Sequence, residues 1–71
     1  MYKRIAELRK AHGLNQTQVA KELNMSQTGY SKYETGENDV PTAVLIKLSA
    51  FYGVSVDYIL DLTEFPEPYE K

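Results

Sequence analysis

Seventy-one residues with 42% hydrophobic content can build one small core, with no room for a separate sensor or catalytic domain. The lack of cysteine excludes disulfides and thiolate metal sites, and a formal charge of −2 lacks the overall basicity common in nucleic-acid binders. The charge is unevenly placed, however. Residues 1–32 hold six Lys or Arg against two Glu, a net +4, whereas residues 33–71 hold two Lys against eight acidic residues, a net −6. The plain interpretation is mixed, solvated surface charge; the sharper one is that a basic half faces phosphate while an acidic half faces away. The charged N-terminal stretch contains no apolar run like a signal peptide or a membrane span, so a cytoplasmic location is expected.

Tyr2 to His12 reads as a first helix, with Tyr2, Ile5 and Leu8 at helical spacing, Lys3 and Glu7 paired at i, i+4, and Gly13 as its stop. His12 is the only histidine. At a helix C-terminus, without a second ligand or a nucleophile, it reads as structural rather than catalytic. Asn15 is an N-cap for a second helix, with Gln18 completing a capping box and Leu14 and Val19 placed as a hydrophobic staple. Val19, Ala20 and Leu23 turn inward, and the helix stops at Asn24. The start signal then repeats: Ser26 caps a third helix, with Met25 stapled to Tyr30, so the link is only about three residues long and forces a sharp crossing.

In this third helix Tyr30, Tyr33 and Glu34 form one stripe, while Gln27, Thr28, Ser31, Lys32 and Thr35 form the opposite one. The polar stripe carries amide, hydroxyl and ammonium groups that can hydrogen-bond base edges in a major groove. Gly29 is unusual inside a helix: it allows close approach to DNA, or it is simply tolerated. Gly36 ends the helix. After the turn-rich GENDVP, Pro41 followed by Thr42 as N-cap opens a fourth helix, Ala43 to Tyr52, closed by Gly53. Ser55 caps a fifth, Val56 to about Leu60, stapled by Val54 against Ile59. The expected core centres on Ile5, Leu8, Val19, Leu23, Tyr30, Leu45, Leu48, Phe51, Val54 and Ile59. Residues 1–62 therefore read as one all-α, five-helix domain. Residues 63–71, with Pro66 and Pro68, read as an acidic tail that is mobile or docks through Phe65 and Tyr69.

The segment NQTQVAKELNMSQTGYSKYETG, Asn15 to Gly36, resembles the helix-turn-helix of the Cro/repressor (XRE-type) family of DNA-binding proteins, and the likeness extends from about Arg4 to the ending GVSVDYIL at Leu60. The resemblance implies a compact lambda-repressor-like domain whose third helix enters the major groove while the second crosses the backbone. It implies Gln27, Thr28, Ser31 and Lys32 as base-reading positions, with Lys32 able to reach either guanine or a phosphate. A glutamine can hold adenine N6 and N7 bidentately, and a threonine methyl can meet a thymine methyl. Gln16, at the start of the second helix, is then a phosphate contact, with Lys10 and Arg4 adding sequence-independent attraction. Arg9 reads from composition as a solvated cation; the resemblance implies instead a buried ion pair with Glu34. Where phage repressors often carry basic residues before the fourth helix, this chain has Glu37, Asn38 and Asp39, leaving Asn38 as the polar phosphate donor there. The family's dimer contact corresponds to Val40, Pro41, Val56, Tyr58 and Leu62, residues that could equally be core, and a weak homodimer that tightens on double-stranded DNA is expected. No cofactor, metal or catalytic group is expected. The competing expectation is a partner-binding module, such as an antitoxin or anti-repressor component, whose acidic C-terminal half meets a second protein.

Overall fold

The computed structural model describes residues 3–67, and among them all regular structure is helical: α1 (Lys3–Ala11), α2 (Gln16–Glu22), α3 (Gln27–Thr35), α4 (Thr42–Tyr52) and α5 (Val56–Ile59). α2 packs on α3, α4 on α5, and α1 crosses both α3 and α5, closing the two pairs over one core. The core is built on fully buried Ile5, Val19, Tyr30, Leu48 and Ile59, with Ala20, Leu23, Tyr33, Val40, Leu45, Tyr52 and Val54 around them.

Local chemistry sets the corners. Asn15 Oδ1 accepts from the Gln18 N–H and Gln18 Oε1 accepts from the Asn15 N–H, a complete capping box at the start of α2. α2 ends in a double turn in which the Met25 N–H reaches Ala20 O and the Asn24 N–H reaches Lys21 O, with Asn24 left-handed at φ 59°. That is a Schellman stop with asparagine in the place glycine usually takes, and it turns the chain so sharply that Ser26 caps α3 two residues later. α5 ends the same way through left-handed Asp61.

The structure differs from the sequence reading at several points. The Tyr2 end of the first helix and Tyr69 lie outside the described residues. α4 begins at Thr42 with Pro41 as its cap residue and no side-chain cap bond, because proline's fixed φ and missing N–H suit it to lead a helix, so the threonine falls inside the first turn. Phe51 is 41% exposed while Tyr52 is buried. Leu45, Leu48 and Tyr52 lie at i, i+3 and i+7, and that row, not the one through Phe51, is turned into the core. Leu8 is only partly buried. The segment after α5 is held down as far as Pro66, whose carbonyl accepts the Ser55 N–H at 2.9 Å, while Phe65 remains 73% exposed.

Candidate nucleic-acid interface

α3 separates its two stripes cleanly. Tyr30 and Tyr33 are buried, whereas Gln27, Thr28 and Lys32 are exposed and Ser31 is half-buried. Gly29 sits between them under pressure from its own chain: a Cβ there would lie 3.1 Å from Met25 Cε and 3.2 Å from the capping Ser26 Oγ. The nearer atom is the free end of a flexible side chain, so a larger residue would ask those two groups to shift by a few tenths of an ångström.

The inner stripe is anchored by a polar cluster. Arg9 Nε donates to Glu34 Oε2 at 2.7 Å and Arg9 Nη2 to Glu34 Oε1 at 3.1 Å, while Nη1 satisfies the Leu14 carbonyl at 3.0 Å. The two side chains retain 13% and 8% of their exposure. Tyr30 Oη donates a short hydrogen bond to Glu34 Oε2, and Gln16 Nε2 donates to Oε1 at 3.0 Å. Burial penalises the Glu34 carboxylate, but the hydrogen bonds from Arg9, Tyr30 and Gln16 together with the Arg9 charge outweigh it and hold its pKa below the ordinary carboxylate value. The Arg9 guanidinium is correspondingly raised by its bond to Glu34, against the opposing effect of burial. Burial first, then the bond to Glu34, pushes the Tyr30 phenol far above its usual range.

Gln16 links this cluster to the surface: its Oε1 accepts from Gln27 Nε2. A residue expected at a phosphate and one expected at a base are thus joined before any DNA arrives. The sequence reading missed the link, although Tyr30 and Glu34 sharing a stripe was the legible half of it.

Arg4 stands apart from the other cations named for phosphate. Its Nη1 donates to Thr63 O at 3.0 Å and Tyr58 O at 3.3 Å, its Nη2 pairs with Asp61 at 3.1 Å, and the guanidinium carbon lies 3.9 Å from the Tyr58 ring centroid. That geometry describes a clamp between α1 and the end of α5. Lys10 and Asn38 are exposed. Among the residues expected at a dimer contact, Val40 is buried in the core, where its apolar surface is already covered, Val56 and Tyr58 are partly buried against it, and Pro41 and Leu62 are exposed.

A shallow pocket of about 130 Å³ between α1 and α5, lined by Arg4, Glu7, Leu8, Ala11 and Tyr58, is smaller than the several hundred Å³ typical of organic-ligand sites. His12 Nδ1 lies 2.9 Å from Leu8 O, to which it can only donate, and its ring packs on Tyr52 at 4.9 Å. Among the described residues no group of His, Cys, Asp or Glu could hold a metal ion, and no helix is long and apolar enough to cross a membrane.

Residues 5–59 match a family described as helix-turn-helix. The chain is 42% identical over 65 residues to an uncharacterized HTH-type transcriptional regulator, YobD, of Bacillus subtilis, covering 92% of this chain and 58% of that protein. It is 38% identical over 68 residues to the HTH-type transcriptional regulator ImmR of the same organism, covering 96% and 54%. It is also 39% identical over 54 residues to the cryptic phage CTXphi transcriptional repressor RstR of Vibrio cholerae, covering 76% and 48%. The chain therefore spans about half the length of the curated relatives it matches.

Proposed function

Since the chain belongs to the XRE-type helix-turn-helix family, whose matching relatives are named as transcriptional regulators, we propose that it is a sequence-specific DNA-binding regulator that represses by occluding a two-fold operator. The observation that carries this reading is the third helix. Its inner face is locked to the rest of the domain by Tyr30, Tyr33 and Glu34, and its outer face leaves Gln27, Thr28 and Lys32 exposed and Ser31 half-exposed, with no large apolar side chain among them that would demand a protein partner. An α-helix presented in that way fits a major groove, with Lys10, Gln16 and Asn38 near the backbone and one subunit per half-site about 34 Å apart. Arg4 is assigned to holding the domain together rather than to phosphate. Pro41, Val56, Tyr58 and Leu62 are the dimer contacts in this reading, residues 1–62 the DNA-binding unit and residues 63–71 its tail.

Selection of bound duplexes from a random pool tests this. Enrichment of a two-fold site, with affinity falling as salt rises, supports it. Equal, weak binding to every duplex would favour the partner-binding reading, which the net charge of −6 over residues 33–71 supports independently.

A further inference from the structure

With no cysteine in the chain, the thioethers of Met1 and Met25 are its only sulfur atoms. Met25 lies in the turn between α2 and α3. Its N–H closes the stop of α2 on Ala20 O at 3.0 Å, and its side chain packs, half-buried, against the core. The end of that side chain reaches forward over the start of α3. Cε lies 3.1 Å from the point that a Cβ on Gly29 would occupy, and Ser26 Oγ lies 3.2 Å from the same point. Ser26 Oγ is the cap of α3, accepting the Gly29 N–H at 3.1 Å. The thioether methyl and the capping hydroxyl therefore share one small space beside the turn of helix that carries Gln27 and Thr28. A thioether suits that space because it is unbranched and apolar and asks for no hydrogen bond. Half-burial also leaves the residue within reach of a small oxidant such as hydrogen peroxide.

We propose that Met25 is an oxidation site that governs whether the start of α3 is presented to DNA, the oxidant being a peroxide. This rests on the reading of the chain as a DNA-binding regulator. A sulfur lone pair attacks one peroxide oxygen, an S–O bond forms as the O–O bond breaks, and the proton on the transferred oxygen passes to the departing hydroxide, which leaves as water. Sulfur is oxidised by two electrons and the peroxide is reduced by two. The sulfoxide is polar, and its oxygen accepts hydrogen bonds where the thioether scarcely does. Beside Ser26 Oγ, that oxygen competes for the Gly29 N–H; packed against the core, it goes unsatisfied. Either way the first turn of α3 is unseated, while the Arg9–Glu34 pair at the far end of the helix stays in place. Methionine sulfoxide reductases regenerate the thioether, so the change is reversible.

The test uses the full chain and the duplex it selects from a random pool. Wild type and Met25→Leu, a swap that nearly keeps the volume and removes the sulfur, are treated with hydrogen peroxide. Affinity is read by anisotropy and melting by circular dichroism, before and after. Mass spectrometry of tryptic peptides 22–32 and 1–3 reports Met25 and Met1 separately. Oxidised wild type is expected to lose at least about fivefold in affinity, within the range that a lost helix cap gives, and to melt about 4 to 8 °C lower. Reductases acting on both sulfoxide epimers should restore both values, an arm that needs no variant. Met25→Leu should stay within about twofold of its untreated affinity. The proposal is overturned by full oxidation of peptide 22–32 with affinity and melting unchanged, by Met25→Leu losing as much as wild type, or by Met25 staying reduced while Met1 is oxidised. A wild type that enriches no duplex removes the DNA-binding reading instead. The melting shift needs no DNA, so it separates that failure from a failure at Met25.

Discussion

Replacing Arg9 with methionine leaves Glu34 buried with two neutral donors, Tyr30 and Gln16, and no counter-charge, and it also strips the Leu14 carbonyl of its Nη1 donor. Breaking one side of a buried, hydrogen-bonded pair costs about 3 to 5 kcal/mol. At roughly 0.05 to 0.15 kcal/mol per residue the whole domain has about 4 to 11 kcal/mol to lose, so the variant should melt on the order of 15 °C lower or more. Adding Glu34→Met should recover part of the loss, because no uncompensated charge then remains.

The pH dependence distinguishes this from simple loss of packing. In the wild type the folded-state pKa of Glu34 is lowered, so its contribution is present above the unfolded carboxylate value, about 4.3, and is lost as pH falls through the folded value. In Arg9→Met the penalty of burial meets less opposition, the folded pKa moves up, and protonation relieves the variant. The stability gap between the two proteins should be widest near neutrality and narrow as pH falls below about 5. Urea unfolding followed by circular dichroism at pH 7, 5 and 4 measures it. A variant melting within a few degrees of wild type, or a gap that does not change with pH, would refute the reasoning.

Two of the buried tyrosines, Tyr30 and Tyr52, should behave oppositely. Tyr30→Phe removes a bond to a charged acceptor and should cost about 1.5 to 3 kcal/mol, whereas Tyr52 Oη is buried with no hydrogen-bonding partner within the described residues, so Tyr52→Phe should be neutral or slightly stabilising in the same unfolding assay. Burial first, and then the nearby Glu34 charge, pushes the Tyr52 phenol up to about 12, so spectrophotometric titration should show it ionising late, and earlier ionisation would contradict its burial. Gln27→Ala should weaken binding to the selected duplex by ~1 to 3 kcal/mol with the salt slope unchanged, while Lys32→Ala, if it meets phosphate, should weaken all duplexes alike and lower the slope by about 1 per protomer, both read by anisotropy titration. Leu62→Glu should loosen a homodimer seen by sedimentation on DNA, and a monomer both free and bound in the wild type would remove the dimer from the proposal.

The helix order was legible because caps and stops are local: Asn15, Ser26 and Ser55 fix their corners through bonds to residues three positions away, and Gly36 through its own left-handed backbone at φ 85°. The two stripes of α3 were legible from a 3.6-residue period for the same reason. What the pattern could not supply was register between helices. The α4 sequence is apolar on nearly every side, Leu45, Ile46, Leu48, Phe51 and Tyr52, so periodicity alone leaves the choice between Phe51 and Tyr52 to the neighbours that receive them. Arg4 was illegible for a different reason. Its partners Tyr58, Asp61 and Thr63 lie more than fifty residues away, and only the left-handed turn at Asp61 brings two carbonyls and a carboxylate to one guanidinium.

These long-range pairs change what the charge distribution means. The basic half of the chain counts a net +4, but Arg9 and Arg4 are each paired with an acid from the other half, Glu34 and Asp61, so about +2 remains for an external partner, carried by Lys3, Lys10, Lys21 and Lys32 against Glu7 and Glu22. With the exposed Glu37 and Asp39 flanking Asn38, one subunit should neutralise only two or three phosphates, for a slope of log affinity against log salt of roughly −2 to −3 per protomer. In the proposed reading, non-specific attraction that weak would leave base contacts and subunit pairing as the main sources of affinity. Arg4→Ala tests the assignment directly. It should lower the melting temperature, through loss of a partly exposed ion pair and a cation–π contact worth ~1 to 2 kcal/mol together, and leave the slope where it was. A slope that falls by about 1 per protomer would return Arg4 to the phosphate backbone and restore the larger basic surface.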